Sequence, residues 1–298
     1  MTRLAFLGTP AVAAGTLRAL IADGHEVVLV VTRPDRRRGR GSSVSPSPVK
    51  EAAQSLGIPV THRLEDVVAS GAELGVVVAY GRLIPVGVLE QVPMVNMHFS
   101  LLPRWRGAAP VERAILAGDR ETGVCIMAVE EGLDTGGVYA SEAVVIGPDE
   151  SADELRARLG EVGTALLLDV VRPVRERGVG ALPPAIPQAG EPTTAAKVDP
   201  GELELGWDRP AAHLARVVRL GRAHTRFRGQ RLGVRRATVV ATGRPSGPPI
   251  APGTIDGDEV VTGEGRLRLL EVQPEGRRPM EAAAWLRGAR PSPGERLG

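Results

Sequence analysis

Four almost continuously apolar runs recur through the first hundred residues: RLAFLG from 3, EVVLVVT from 26, ELGVVVAYG from 73 and VPMVNMHFS from 92. A strand with one wet face alternates apolar and polar residues; a run without alternation is covered on both faces, as in a parallel sheet. The intervening segments carry helical signals. Residues 11–22 are rich in helix formers, with Val12, Leu17, Leu20 and Ile21 apolar. SPSPVKEAAQSLG offers Ser47 as a cap, Pro48 at the first helical position and Gly57 as a stop. This alternation predicts an α/β doubly wound, mostly parallel sheet. TGVCIMAVEEGLDTGGVYASEAVVI reads as two alternating strands joined by an extended hairpin loop, and SADELRARLG opens a helix with a capping box at Ser151 and Glu154.

The pattern changes after residue 178. The stretch 179–199 is rich in Pro, Gly and Ala without periodicity, and is expected to be a linker. One short helix follows (PAAHLARVVRLG), then β-like runs split by Gly and Pro, which suggest a small C-terminal antiparallel β-barrel of OB-like type. The expected domains are therefore 1–178 and 200–298. With aromatics at only 3%, their cores must be mainly aliphatic.

Net charge is +2, unevenly divided: 20 basic and 23 acidic residues up to position 198, 17 basic and 12 acidic beyond it. A basic second half fits contact with a polyanion, although an arginine-biased composition alone would also give it. The single cysteine, Cys125, excludes an intramolecular disulfide, fits a reducing cytoplasm, and sits in an apolar run as a small core residue. No apolar run approaches the roughly 20 residues that span a bilayer, so no membrane association is expected. The five histidines are scattered, with no pair at ligand spacing, and no metal is expected. LGTPAVAAG lacks the G-x-G-x-x-G spacing, so Gly8 to Pro10 reads as a tight turn.

The residues that promise chemistry lie in NMHFSLLPRWRGAAP, from 96. Side chains two apart in a strand share a face, so Asn96 and His98 point the same way. In open parallel sheets the ligand crevice lies beyond the carboxyl ends of strands. Such a pair can donate two hydrogen bonds to one oxygen, or be a buried polar pair satisfied by neighbouring main chain. Spacing alone leaves both open. Asp134 in GLDTG could equally be a turn-capping residue. RRRGRG, containing Arg36, Arg37, Arg38 and Arg40, follows a strand end and could meet phosphate or stay solvated.

SLLPRWRGAAPVERAILAGD, together with the downstream EEGLDTG, resembles the folate-dependent formyltransferase family, and the likeness extends over nearly the whole chain. The loop RPDRRRGRGSSVSPSPVKEAA, the run AYGRLIP and the GWDRP opening the second domain are most similar to the branch acting on charged initiator tRNA. The resemblance implies transfer of a formyl group from 10-formyltetrahydrofolate to the amine of methionine on initiator methionyl-tRNA. Asn96, His98 and Asp134 then correspond to the catalytic triad, and Ser100, Leu101, Leu102 and Pro103 to the tetrahydrofolate site. Arg36, Arg37, Arg38 and Arg40 fall in the loop that contacts the acceptor end of the tRNA. A cytoplasmic monomer is expected. RLGRAHTRFRG lacks the Pro and Trp frequent at that turn in the family, and GSSVSPSP is Ser-rich where a Lys and an apolar residue are common, so the fine tRNA contacts do not carry over. The alternatives are a sibling that formylates the amine of a sugar nucleotide, which needs no basic second domain, and a non-catalytic RNA-binding protein.

Overall fold

The apolar runs of the first half lie side by side in one sheet. A computed structural model describes residues 1–37, 44–240 and 250–298. In chain order the first part comprises β1 (Arg3–Gly8), α1 (Ala11–Ala22), β2 (Glu26–Val31), β3 (Arg36–Arg37), β4 (Val44–Ser45), α2 (Pro48–Ser55), β5 (Val60–Thr61), α3 (Asp66–Ala69) and β6 (Leu74–Val78). There follow α4 (Val86–Leu89), β7 (Met94–His98), β8 (Arg106–Gly107), α5 (Pro110–Ala117), β9 (Glu121–Ala128), β10 (Val138–Val145), α6 (Ala152–Arg177) and β11 (Thr194–Ala195). The sheet order is β10-β9-β7-β6-β1-β2-β5. From β5 to β7 every pairing is parallel, and β9 and β10 add antiparallel pairs at one edge.

Burial follows topology. Leu4 to Gly8 of β1 and all of β6 are buried or nearly so, whereas β10 at the edge is exposed over Glu142 and Val145. One face of the sheet packs Ala5, Leu7, Leu29, Val31, Val77 and Met94 with Leu64, Val67 and Val88. The helix signals hold at atomic detail. The Ser47 hydroxyl accepts from the Lys50 amide with Pro48 behind it, and Ser151 and Glu154 satisfy each other's main-chain N–H groups.

The chain divides into two compact units. The first holds Met1–Pro110, Glu121–Val145 and Arg156–Ala196; the second holds Val111–Arg120, Ile146–Leu155 and Lys197–Gly298. The divide after Ala196 lies close to the expected one, but two short excursions of the first half belong to the second unit. The expectation of a linker over 179–199 needs correcting. Ile186 exchanges main-chain hydrogen bonds with Val138, and Thr194–Ala195 pairs in parallel with Arg106–Gly107 as β11 on β8. An isolated bridge and a two-residue strand need no amphipathic period, so this docked segment has the composition of a free one.

The second unit adds α7 (Ala211–Arg219), β12 (His224–Phe227), β13 (Gln230–Val240), β14 (Ile255–Asp256), β15 (Glu259–Val261), β16 (Arg266–Pro274), β17 (Met280–Glu281) and α8 (Ala282–Ala289). Its antiparallel sheet runs β12-β13-β16-β15-β14, with β17 on β16. The β13–β16 register shifts around Arg236, and such bulges bend long strands. What is observed of the expected barrel is this sheet, with no pairing of β12 to β14 among the described residues. Its core gathers Leu214, Val217, Val234, Val260, Leu267 and Val272 around Trp207 and Trp285. Trp207 Nε1 donates to Thr225 Oγ1 at 3.0 Å, and Phe227 meets Trp285 edge-on at 5.2 Å.

Candidate active site

β7 carries two polar residues, Asn96 and His98, on one face, because side chains two apart in a strand point the same way. Asn96 pairs in register with Val77 and Met127, and His98, the terminal residue, with Cys125. Asn96 is half-buried, and its carboxamide has no hydrogen-bond partner among the described residues. His98 is buried, 5% exposed, with Nε2 2.9 Å from the Trp105 carbonyl oxygen. A carbonyl only accepts, so Nε2 carries the hydrogen. Nδ1 is 3.6 Å from Asp134 Oδ2.

Asp134, in the loop between β9 and β10, is not merely a turn cap for its own residues. Its Oδ2 accepts from the Gly107 amide at 2.8 Å, tying the hairpin loop to the segment after β7. Both residues that touch the imidazole adopt left-handed backbone: Trp105 with φ 64 and Asp134 with φ 52. For non-glycine residues that conformation costs about 1–3 kcal/mol each and persists only where surroundings over-determine it. Gly107, between them, has φ 123, and a Cβ there would lie 2.9 Å from the Ala195 carbonyl oxygen, so only glycine lets β8 approach β11.

The candidate folate segment is a braced turn. Ser100 is buried and its Oγ donates to the Arg104 carbonyl at 2.6 Å. The Leu102 amide donates to Cys125 Sγ at 3.4 Å, and Leu102–Pro103 is a cis bond. Leu101, Leu102 and Pro103 are all half-buried. Cys125 is a core residue as expected, 2% exposed, and burial raises its thiol pKa. Of the arginine loop, Arg36 and Arg37 form β3, paired with β4, while Arg38 and Arg40 lie outside the described residues. The loop's base is fixed by Thr32 Oγ1 against Ser47 Oγ at 2.8 Å and by Lys50 Nζ on Asp35 at 2.6 Å.

The structure thus brings Asn96, His98 and Asp134 to one end of the sheet, with the Ser100–Pro103 turn continuing directly from β7. Sequence reasoning missed the strap after α6. Thr193 accepts from the Trp105 amide through Oγ1 (2.8 Å) and from the Arg106 amide through its carbonyl (2.8 Å), and the Ala195 carbonyl takes the amides of Ala108 and Ala109. Gln188 reaches both loops beside His98. No periodic or spacing signal marks these residues. No group of three or more His, Cys, Asp or Glu able to hold a metal occurs among the described residues.

A doubly wound sheet with such polar groups at a strand's carboxyl end, where open sheets bind their ligands, followed by a separate antiparallel-sheet unit, is the build of a two-domain α/β enzyme. The chain belongs to the formyl transferase family: the family model for formyl transferase matches residues 2–171, and that for the formyl transferase C-terminal domain matches 197–290. It is similar to the methionyl-tRNA formyltransferase of Symbiobacterium thermophilum, 44% identical over 309 residues, which span 97% of this chain and 93% of that protein. The methionyl-tRNA formyltransferase of Paracoccus denitrificans is also 44% identical, over 96% of this chain and 97% of that one. Among solved structures, methionyl-tRNA formyltransferase from Clostridium thermocellum matches at TM-score 0.61 and 17% identity, covering 80% of this chain and 94% of its own. HypX from Aquifex aeolicus in complex with tetrahydrofolic acid matches at TM-score 0.63 and 18% identity over 95% of this chain, which spans 46% of HypX. At such identities the likeness is one of fold.

Proposed function

We propose that this chain transfers the formyl group of 10-formyltetrahydrofolate to the α-amine of methionine esterified to initiator tRNA, in the cytoplasm. The observation that carries the reading is the near-full-length 44% identity to methionyl-tRNA formyltransferases. The polar constellation around His98 supports it. No helix of the described residues is long and apolar enough to cross a membrane.

In this reading the neutral amine attacks the formyl carbon; free α-amines titrate near ~7.7–8, so enough neutral nucleophile exists at cellular pH. The new C–N bond places negative charge on the formyl oxygen. The unpartnered Asn96 amide is a donor suited to that oxygen, and one such donor is typically worth about 100–1,000-fold in rate. His98 can donate to substrate only from Nδ1. Nε2–H is committed to Trp105, and the Asp134 carboxylate beside Nδ1 orients the ring toward the reacting groups. Collapse breaks the bond to the folate nitrogen, which takes a proton while the amine gives one up; the His98–Asp134 pair is placed to relay it. Ser100 to Pro103 would line the folate side. Arg36, Arg37, Arg38 and Arg40 would meet phosphates of the acceptor end, and the second unit would add affinity. Arg231 and Arg236 support this last role, being exposed on β13 without an ion pair among the described residues.

The test is transfer of labelled formyl from 10-formyltetrahydrofolate onto initiator and elongator methionyl-tRNA side by side, with an amino-sugar nucleotide as control. Rapid labelling of the initiator species supports the proposal. Labelling of the sugar nucleotide alone would overturn it.

A further inference from the structure

Between Pro184 and Gly190 every side chain is exposed except one, that of Gln188. Its carboxamide is used to capacity. Nε2 donates to the main-chain carbonyls of Asp134 (2.9 Å) and Gly136 (2.8 Å). Oε1 accepts from Arg106 Nε (3.0 Å) and from a terminal guanidinium nitrogen (2.7 Å). A carboxamide has two N–H donors and one oxygen with two lone pairs, so no capacity is left over. Its orientation is also fixed by chemistry. Turned over, its oxygen would face two carbonyls and its NH2 a guanidinium.

The two loops this one side chain joins are those that hold the imidazole. One brings the Asp134 carboxylate to Nδ1 and the other brings the Trp105 carbonyl to Nε2. Asp134 and Trp105 are both left-handed non-glycine residues, held there against their own preference. Gln188 fixes the main chain of the first at its own carbonyl and the second through the side chain of the next residue, Arg106. We infer that Gln188 is a positioning residue, which sets the distance and angle between His98 and Asp134 for the transfer step. The inference rests on the proposed roles of His98 and Asp134.

Gln188→Met keeps the length and removes all four hydrogen bonds. Gln188→Glu keeps the acceptor toward Arg106 and replaces the donors to the Asp134 loop by an oxygen that faces its two carbonyls. Small misplacements of reacting groups can lower rates by about 100-fold. The expectation for both variants is therefore a kcat lower by about 10- to 100-fold, with KM for tRNA and folate nearly unchanged and thermal midpoint preserved. The second readout is the double variant. A residue acting through Asp134 has little left to do once that carboxylate is gone, so Gln188→Met in an Asp134→Asn background should cost no more than about threefold. A kcat within about twofold of the parent for both single variants would overturn the inference. So would a loss that multiplies in full in the double variant, which is the signature of a merely structural role. If instead Asp134→Asn itself transfers formyl at the parent rate, the reading of the site fails, and this inference with it.

Discussion

The first unit buries two histidines beside aspartates, at opposite ends of its sheet, and they are chemically unlike. His98 ends β7; His25 immediately precedes β2. Each lies about as close to a carboxylate, 3.6 Å for Asp134 and 3.5 Å for Asp23. His98 has a main-chain acceptor on Nε2, and its aspartate is held by a neutral amide. Among the described residues His25 has no hydrogen bond at either ring nitrogen, and Asp23 is committed to Arg172, with Arg175 donating to the Asp23 carbonyl. Burial lowers the His25 pKa below 6.5; Asp23 opposes that shift, and Arg175 and Arg172 reinforce it. A buried His–Asp pair is therefore not in itself chemistry. What distinguishes His98 is a strand's carboxyl end, a main-chain acceptor that fixes Nε2–H, and an aspartate that pairs with no guanidinium among the described residues.

The largest effect should come from breaking the member of this comparison proposed to act in transfer. His98→Ala is expected to lower kcat by about 1,000-fold through joint loss of donor and proton relay, while melting changes little; steady-state formylation of charged initiator tRNA would check it. Asp134→Asn keeps the acceptor for Gly107 but removes the charge, so a smaller loss of about 10- to 100-fold is expected, concentrated in kcat rather than KM. An equal rise in KM with kcat intact would assign Asp134 to substrate binding instead.

The structural member should show itself in stability. His25 is neutral when folded and, below about pH 6.5, the unfolded chain takes up a proton that the folded chain refuses. Its contribution is therefore fully present above that pH and lost as pH falls toward the lowered folded value. Between about pH 7.5 and 5.5 the thermal midpoint of the parent should fall further than that of His25→Gln, with kcat of the two alike at neutral pH. Parallel pH–melting curves would contradict this and place the acid sensitivity elsewhere.

Much of the fold is legible because burial on two faces erases alternation. The strands β1, β2, β6 and β7, the Ser47–Pro48 helix start and the Ser151–Glu154 box all follow from local rules. Asn96 and His98 stand out because polar groups end an apolar strand. The rest was hidden for identifiable reasons. Left-handed backbone at Trp105 and Asp134 is imposed by tertiary contacts, and a sequence rule looks for glycine at such sites. Gln188 and Thr193 act one at a time from a Pro-rich strap, with no period to betray a docked segment. The excursions of 111–120 and 146–155 into the second unit carry no compositional break.

In the proposed transfer the carboxamide of Asn96, unpartnered among the described residues, meets the charge that develops on the formyl oxygen. The most direct test is the single-turnover rate of formyl transfer by Asn96→Ala, with enzyme in excess over charged initiator tRNA and folate saturating. The expected rate is about 100- to 1,000-fold below the parent, with folate affinity little changed. A rate within about twofold of the parent would contradict it.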